Sequence, residues 1–238
     1  ASRVLCHGEF FFEDSTDSMI KALKSALYKR GIPEQLYVDN GANYTSGEIT
    51  LICARLGCIL RHTAVRDAAA KGKIERFFRR VRQQFLNKKL DIPSIESLNH
   101  DFTLWVENEY NSTIHSAIQM KPIDRFGMDL KRIKFLSPCD SNDELFFMEE
   151  TRKVKNDNTF SFKSVRYEAP VDLRGKQITI RFDRSKYDRV VVYYKGNRTG
   201  DAKPLDLVAN GIMRNKEVNC AYQKSSAREV ALGWELKK

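Results

Sequence analysis

Apolar residues along the first 62 positions recur with two different periods. Runs of aliphatic and aromatic residues predict short strands, and apolar residues three and four positions apart predict helices. The resulting order of strand, helix, strand, helix and strand is typical of a mixed or parallel sheet covered by helices. The predicted strands cover residues 4–12, 36–38 and 58–62, and the predicted helices cover 19–27 and 48–56.

The pattern changes between residues 66 and 110. Small and polar residues at 66–73 predict a loop, and an amphipathic helix is predicted from Ile74 onward. Its apolar side includes Phe77, Phe78 and Val81. A further helix is predicted over residues 98–110.

After a stretch whose composition predicts a linker, the apolar period becomes two. Short alternating strands without intervening helices are typical of a small barrel. The basic end of the chain is expected to be poorly ordered or bound to a partner. The predicted domains are a core over 1–136, a linker over 137–144, a barrel over 145–206 and a basic tail over 207–238.

The chain has 238 residues and a net charge of +10, from 41 Lys and Arg against 31 Asp and Glu. Such a surplus favours polyanionic partners, of which nucleic acid is the commonest, although a solvated basic surface is the alternative. No apolar run approaches the ~20 residues of a membrane span. The five scattered cysteines form no C-x-x-C pair, which argues against a zinc or disulfide framework and favours reduced thiols in the cytoplasm.

Asp39 is the first candidate for chemistry, because it closes the predicted strand at 36–38. A carboxylate at the carboxyl end of a sheet strand faces the crevice where open α/β sheets bind ligands. Asn40 and Gly41 follow directly, and Asp-Asn-Gly is also favourable turn chemistry. The local sequence leaves the catalytic and the turn interpretations open.

Glu75 is the second candidate and lies near the start of the helix predicted from Ile74. Its apolar neighbours in the sequence must face the core, which places this acid beside packed residues. The helix dipole also favours an acid in the first turn, and an ion pair with Arg79 one turn later is a further alternative. Viewed alone, Glu75 fits these structural roles better than a catalytic one.

Together the two acids carry a resemblance to a known family. Thirty-five residues separate Asp39 from Glu75, within the segments LYVDNGANY at 36–44 and GKIERFF at 72–78. These segments resemble the D-N-G-x-x-[FY] and G-K-x-E-R-F-F segments of the DDE transposases and retroviral-type integrases, in which the same spacing is common. Residues 110–116, YNSTIHS, are similar to the Y-N-x-x-x-H-S element that follows in that family.

The resemblance implies a ribonuclease-H-like α/β core that cleaves DNA 3′ ends and transfers strands during DNA transposition. It also implies that Asp39 and Glu75 are catalytic and that each binds one of two Mg²⁺ or Mn²⁺ ions. Two such ions about 4 Å apart stabilise the attacking and leaving oxygens of an in-line displacement. Mg²⁺ prefers carboxylate and water oxygens, so these donors suit it.

The first acid of the family pattern has no counterpart in this sequence. Residues 1–3, Ala-Ser-Arg, resemble the end of the family's second strand, so the first strands and the first Asp are expected upstream of residue 1. Asp14 and Asp17 are the aspartates that precede Asp39, and we interpret them as helix-capping residues. We therefore expect an N-terminally incomplete core, no complete triad and no activity of the chain alone.

The segment 66–90 holds nine Lys and Arg against two acids. Beside a catalytic Glu, such cations are well placed to neutralise DNA phosphates, although a solvated helix face is the ordinary alternative. His115 either approaches the DNA or hydrogen-bonds within the fold, and we favour the structural role. The predicted DNA-binding residues are Lys71, Lys73, Arg76, Arg79 and Arg80, with Lys73 and Arg76 as the best candidates.

Residues 145–206 resemble the small C-terminal β-barrel of Mu-type transposases. This resemblance rests mainly on YEAP at 167–170, LRGK at 173–176 and IRFD at 180–183, and its motifs are less specific than the paired acids. The barrel contains no constellation typical of catalysis, which favours DNA binding or contact between protomers.

The resemblance as a whole favours a DDE transposase that acts on double-stranded DNA as a homo-oligomer. A helper ATPase is a further candidate partner, and a bacterial cytoplasm at the nucleoid is the expected location. Two alternatives stay open: a catalytically inactive DNA-binding remnant, and a ribonuclease-H-like nuclease that cuts without joining. The spacing of the acids, the element at 110–116 and the trailing barrel favour the transposase over the nuclease.

Overall fold

The computed structural model describes residues 2–39, 41, 47–63, 68–88 and 91–205, without the side chains of 68–71 and 73. The fold is mixed α/β, and the chain divides into two compact units. The N-terminal unit contains Ala1–Met148 with Asp183–Ser185, and the C-terminal unit contains Glu149–Phe182 and the chain from Lys186 onward. The predicted tail at 207–238 lies outside the described residues.

The N-terminal unit combines helices with a two-stranded parallel sheet. Its elements are α1 (Thr16–Arg30), β1 (Gln35–Val38), α2 (Gly47–Leu56), β2 (Ile59–His62), α3 (Ala68–Gln84), α4 (Ile95–Trp105), α5 (Pro122–Gly127) and α6 (Asp140–Asp143). Strands β1 and β2 pair in parallel, with Gln35 opposite Ile59 and Val38 opposite His62. The sequence prediction of two short strands joined by a helix is confirmed, and so is their parallel arrangement.

Helix α1 begins and ends where its sequence provides caps. Ser15 is the N-cap, and its side chain accepts a hydrogen bond from the Ser18 N–H at 3.2 Å. Asp17 lies in the first turn, where the helix dipole favours an acid. Gly31 ends the helix with φ +85°, and a Cβ there would lie 2.4 Å from Cγ2 of Ile133. A glycine is therefore required at this stop.

Residues 4–12, predicted as a strand, form no ladder with any described strand. Two asparagine side chains bond this backbone instead. Asn111 accepts from the Leu5 N–H at 2.9 Å and donates to the Leu5 carbonyl at 3.1 Å. Asn99 does the same for Phe10, at 2.7 and 3.0 Å. Each of these two amide clamps satisfies both backbone groups of one residue, as a neighbouring strand would.

A hydrophobic core of the N-terminal unit lies between α3, α4 and the turn that follows α4. Trp105 and Phe102 stack with ring centres 5.8 Å apart, and Phe85 packs on both. The chain then makes a π-helical turn, Val106–Tyr110, in which the Asn111 N–H donates to the Val106 carbonyl at 2.8 Å. The predicted helix over 98–110 is thus confirmed as an α-helix up to Trp105. The predicted last turn is π-helical, and therefore wider than an α-helical turn.

The stretch predicted as a linker, 137–144, packs within the N-terminal unit. It contains α6 and leads into a single 3₁₀ turn, Glu144–Phe146. Lys24 on α1 lies 2.8 Å from the Asp143 carboxylate, and Arg55 on α2 donates to the Phe147 carbonyl at 2.6 Å. The exact bounds between linker and domains stay a prediction.

The C-terminal unit consists of two antiparallel sheets. Its strands are β3 (Met148–Lys153), β4 (Thr159–Phe162), β5 (Val165–Glu168), β6 (Gln177–Phe182), β7 (Val190–Tyr194), β8 (Asn197–Asp201) and β9 (Lys203–Pro204). The sheet orders are β3-β6-β7-β8 and β4-β5-β9. The strands predicted from the period of two are confirmed, with the predicted turn residues between them.

The core of this unit follows from the alternation along its strands. On β6, Ile178, Ile180 and Phe182 are buried, and the residues between them are more exposed. Phe162 lies opposite, with its ring centre 4.4 Å from that of Phe182. On β7, residues 190–192 are buried in succession, as expected for a strand covered on both faces.

Candidate active site

Asp39 follows the buried Val38 at the carboxyl end of β1, and it is exposed. The Gly41 N–H donates to Asp39 Oδ1 at 2.9 Å, which closes an Asx turn. The turn interpretation of Asp39 therefore holds. It leaves the site interpretation open, because an exposed carboxylate fixed by a backbone N–H keeps lone pairs for a ligand. Asn40 lies outside the described residues.

His62 ends β2 beside Asp39, and sequence reasoning did not single it out. The Thr63 N–H donates to the Val38 carbonyl at 2.9 Å, so the β1–β2 pairing continues to the strand ends. His62 Nδ1 then donates to the Asp39 carbonyl at 3.3 Å. This side chain extends the pairing by one residue and holds the backbone of Asp39. The available signal was a histidine at the end of a predicted strand.

Glu75 is exposed on α3, seven residues after the helix begins at Ala68. The predicted loop at 66–73 is therefore wrong from Ala68 onward, and residues 64–67 lie outside the described part. Alanine has the highest helix propensity, so residues 68–70 extend the helix backward, and Gly72 inside it costs only about 1 kcal/mol. Because the helix dipole acts mainly within the first turn, it does not account for Glu75.

Asp39 and Glu75 offer exposed oxygen donors of the kind that Mg²⁺ and Mn²⁺ prefer. One is held by a turn at a strand end and the other by a helix, so each has a fixed backbone. No group of three His, Cys, Asp or Glu able to hold a metal ion occurs among the residues described here. Each carboxylate is a donor of the kind that Mg²⁺ accepts, and Mg²⁺ usually completes its ligand set with water and substrate phosphate.

Two of the predicted DNA-binding residues on α3, Arg76 and Arg79, are exposed, and Arg80 is half-buried. The side chains of Lys71 and Lys73 lie outside the described part of the chain. The exposed arginines agree equally with a DNA-binding face and with a solvated one. Arg80 differs from Arg76 and Arg79 because its side chain packs against neighbouring residues.

Arg80 is held from two sides. Its guanidinium lies 4.9 Å from the centre of the Tyr110 ring, a cation–π contact, and its Nε donates to Gln84 Oε1 at 2.6 Å. Tyr110 is buried beneath it. A long flexible side chain is thus fixed in one orientation, which favours a binding role over a freely solvated one.

The element at 110–116 has a structural basis. Asn111 is fully buried and forms one of the amide clamps, and Tyr110 supports Arg80. His115 bonds within the fold, as favoured from the sequence: its N–H donates to the Met120 carbonyl at 3.0 Å. In addition, the Ala117 N–H donates to His115 Nδ1 at 3.1 Å.

Burial is the main cause of the pKa shifts of His115 and Tyr110, and nearby arginines act on both residues. Burial lowers the pKa of His115 below its usual value, and repulsion from Arg3, Arg80 and Arg76 lowers it further. Burial raises the pKa of Tyr110, although Arg80 and Arg3 act in the opposite direction. The same two arginines therefore act on both rings. Arg3 was not predicted as a site residue, because it is far from the basic segment in the sequence.

Two family models match successive parts of the chain. Residues 14–89, which include Asp39 and Glu75, match the TnsB C-terminal domain. Residues 143–199 match the Mu transposase C-terminal domain. These matches confirm the resemblance to the DDE transposases and integrases and to the C-terminal domain of Mu-type transposases.

Particular relatives agree with these models. The chain is 27% identical over 179 residues to the transposase for transposon Tn552 of Staphylococcus aureus, covering 69% of this chain and 37% of that protein. It is 29% identical over 100 residues to the Gag-Pro-Pol polyprotein of bovine leukemia virus (isolate Australian), covering 41% of this chain and 7% of that protein. The chain thus spans little more than a third of its Tn552 relative.

Among solved structures, the chain is similar to one in the simian T-cell lymphotropic virus intasome in complex with PP2A regulatory subunit B56 gamma. The TM-score is 0.41 at 15% sequence identity, and the match covers 82% of this chain and 66% of that chain.

Two further expectations concern thiols and membranes. Within the described ranges, Cys6, Cys53, Cys58 and Cys139 are free thiols. Burial raises the pKa of Cys53 to about 11, so this thiol is poorly nucleophilic. No helix in those ranges has the length and apolar character needed to cross a membrane.

Proposed function

We propose that this chain is part of a DDE-type DNA transposase that cleaves 3′ ends of a mobile element and joins them to target DNA. The observation that carries the proposal is the placement of the two acids. Asp39 is exposed at the carboxyl end of a parallel strand, and Glu75 is exposed inside α3. Both lie within the segment that matches the TnsB C-terminal domain.

The proposal includes a ribonuclease-H-like core over 1–136, a linker over 137–144 and a β-barrel over 145–206. The parallel β1–β2 pair flanked by helices supports the core. The two antiparallel sheets of the C-terminal unit support the barrel. The match of residues 143–199 to the Mu transposase C-terminal domain supports it as well.

In this proposal Asp39 and Glu75 hold divalent cations, Mg²⁺ or Mn²⁺, with two ions in a complete site. When bound, such ions stabilise the attacking and leaving oxygens of an in-line displacement at phosphorus. The chain's own contribution is to orient the carboxylates. The Gly41 N–H fixes one Asp39 oxygen, His62 holds the Asp39 carbonyl, and α3 fixes the backbone of Glu75.

Double-stranded DNA is the proposed substrate, supported by the net charge of +10 and by the arginines of α3. Neutralising phosphates releases counterions, so this surface would bind DNA with little dependence on its sequence. A homo-oligomeric assembly, a helper ATPase and a bacterial location at the nucleoid belong to the proposal through the family resemblance.

The test uses the longest protein that contains this chain, because the chain spans only 37% of its Tn552 relative. We expect Asp39→Asn and Glu75→Gln each to abolish 3′-end cleavage and strand transfer in Mg²⁺ or Mn²⁺, since each removes a metal-binding carboxylate. DNA binding, measured by gel shift, should be largely unchanged. Glu34→Gln is the matched control, because its side chain is 88% exposed and it should retain activity.

The same assay separates the alternatives. Metal-dependent strand transfer that survives either substitution would contradict the catalytic roles. Cleavage without joining in the unmodified protein would identify a nuclease. DNA binding without either reaction would identify an inactive DNA-binding protein.

A further inference from the structure

The end of α2 brings together two cysteines that are not adjacent in the sequence. The Cys58 N–H donates to the Cys53 carbonyl at 2.9 Å, and the Gly57 N–H donates to the Ala54 carbonyl at 3.2 Å. Gly57 has φ +70°, so these bonds form a Schellman motif that ends the helix. The side chains at the two ends of this motif commonly pack on each other, and here both are cysteines.

The backbone geometry meets the main requirement of a disulfide. With standard bond lengths, the 2.9 Å hydrogen bond from Cys58 to Cys53 keeps the two Cα atoms less than roughly 7 Å apart. Disulfides join Cα atoms that are about 4.4–6.8 Å apart, so no large movement of the backbone is needed. The Cys53 S–H also donates to Cys58 Sγ, which places the two sulfur atoms in contact.

We propose that Cys53 and Cys58 form a redox pair, which an oxidant of the peroxide class converts into a disulfide that ties the end of α2 to the start of β2. The pair stands apart from the proposed function, because it uses thiols and not the carboxylates of Asp39 and Glu75. The spacing of the cysteines did not predict it, since the pair is not a C-x-x-C motif and the Schellman motif brings it together.

The reaction consumes one peroxide and two thiols. The Cys58 thiolate attacks one peroxide oxygen and the O–O bond breaks, which gives a sulfenic acid and releases hydroxide. The Cys53 sulfur then attacks the Cys58 sulfur, and the S–O bond breaks. The proton of each thiol leaves with one of the two oxygens, so the products are one disulfide and two waters. The two sulfurs together lose two electrons, and the peroxide gains them.

The hydrogen bonds give the two thiols different roles. Burial raises the pKa of Cys58, and hydrogen bonds from the Cys53 S–H and the Leu36 N–H to its Sγ act in the opposite direction. Burial, the charge of Cys58 and the hydrogen bond to Cys58 together raise the pKa of Cys53 to about 11. Cys58 is therefore the thiol that attacks the oxidant, and Cys53 resolves the sulfenic acid. Contact between the sulfurs offsets the weak nucleophilicity of Cys53.

Burial also supports a simpler role, in which the two thiols only fill space. Cys53 is 2% exposed and Cys58 is 6% exposed, and buried cysteines often behave as small, inert apolar residues. Their cover is thin, because β2 follows directly and its first residue, Ile59, is 53% exposed. A local opening of the turn at Gly57 therefore gives access to both thiols without unfolding of the unit. We expect slow oxidation for the same reason.

The first test treats the unaltered 238-residue chain with hydrogen peroxide, alkylates the remaining thiols and maps the tryptic peptides by mass spectrometry. Trypsin cleaves after Arg55, between the two cysteines, so a disulfide joins peptide 31–55 to peptide 56–61. We expect this joined peptide to appear, with a mass about 2 Da below the sum of the two reduced peptides, because two hydrogens are lost. Dithiothreitol should separate the two peptides again.

The control for this test is Cys6→Ser, which removes another free thiol of the same unit and should leave the joined peptide unchanged. The exposed Cys139 reports whether the oxidant has acted. If Cys139 is oxidised and the joined peptide does not form, the redox pair is contradicted and the two cysteines are packing residues.

The order of attack is tested with Cys53→Ser and Cys58→Ser. In Cys53→Ser, the sulfenic acid at Cys58 has no thiol to resolve it, so dimedone should label peptide 56–61. In Cys58→Ser, peptide 31–55 should stay unlabelled. Labelling of Cys53 in place of Cys58, or of neither residue, would overturn the assigned roles.

The tie between α2 and β2 is measured by hydrogen exchange at the Gly57 and Cys58 amides, whose bonds define the motif. Both amides should exchange several-fold more slowly in the oxidised chain, since the disulfide opposes opening of the turn. Amides of β6, in the other unit, should keep their rates. Equal rates at Gly57 and Cys58 before and after oxidation would show that the disulfide does not hold α2 to β2.

Discussion

The two units of this protein satisfy their backbones in different ways. In the C-terminal unit, antiparallel ladders join neighbouring strands, and the core residues Ile180 and Val192 are both 0% exposed. In the N-terminal unit, residues 4–12 depend on the amides of Asn99 and Asn111 instead of a ladder. The first arrangement is local and repetitive, and the second depends on single side chains.

The units also differ in how much apolar surface they leave uncovered. Tyr37 on β1, Ile59 on β2 and Ile74 and Phe78 on α3 are each at least half exposed, at 63%, 53%, 50% and 52%. These are the elements that carry Asp39, His62 and Glu75. The unit that carries the candidate site therefore leaves more of its apolar surface exposed to solvent. Such departures from ideal folding are expected at functional sites.

The largest expected effect removes packing from the C-terminal unit. Ile180→Ala leaves a cavity at a fully buried position and should lower the free energy of unfolding by about 2–5 kcal/mol. Urea unfolding measures the loss, and hydrogen exchange should show faster opening of amides in β6 and β7. The control Ile180→Val should cost only about 0.5–1.5 kcal/mol. A loss below the control would contradict a tightly packed core.

A smaller but more local effect is expected at the amide clamp. Asn111→Ala leaves the Leu5 N–H and carbonyl without their partner, at about 1–3 kcal/mol for each buried group that stays unsatisfied. Asn111→Asp keeps the acceptor and loses the donor, so it should fall between Ala and the unaltered protein. Hydrogen exchange at the Leu5 amide measures the local effect. Unchanged protection in Asn111→Ala would show that a single amide does not hold this segment.

The smallest effect is a shift in the pKa of His115, followed by NMR. Burial and the arginines lower this pKa in the folded protein. At a pH below the ordinary pKa of histidine, the unfolded chain therefore binds more protons at His115 than the folded one. Stability is therefore lost as the pH falls through the folded-state pKa. In the double variant Arg3→Gln with Arg80→Gln, the pKa of His115 should rise toward its usual value, so less stability should be lost as the pH falls. No rise would mean that burial alone sets the pKa.

Much of the fold could be predicted from the spacing of apolar and polar residues over short stretches of sequence. The strands of the C-terminal unit were predicted because Ile178, Ile180 and Phe182 alternate with less buried residues and turns separate the strands. Two segments were predicted with the wrong structure. Residues 4–12 have strand-like composition, but composition does not specify whether the partner is a strand or an amide. At 68–73, high alanine propensity prevailed over the loop signal of small polar residues.

The candidate site was predictable to the extent that its residues lie in recognisable segments. Asp39 and Glu75 were found from their neighbours and their spacing, and their catalytic roles stay a prediction. Arg3 was not found, because it is more than a hundred positions away in the sequence from Tyr110 and His115, the two residues whose pKa values its charge lowers. Buried Asn111 is the link, and nothing in a single sequence shows that an asparagine will be completely buried.

The amide clamps also have a consequence for synthesis on the ribosome. The residues that bond Leu5 and Phe10 lie 106 and 89 positions later in the chain. At about 5–20 residues per second, the partners of this early segment emerge roughly 5 to 20 s after it. During that interval an aromatic-rich stretch has no clamp to bond its backbone. Its docking must therefore wait for α4 and the turn after it, which makes late closure of the N-terminal unit part of its assembly.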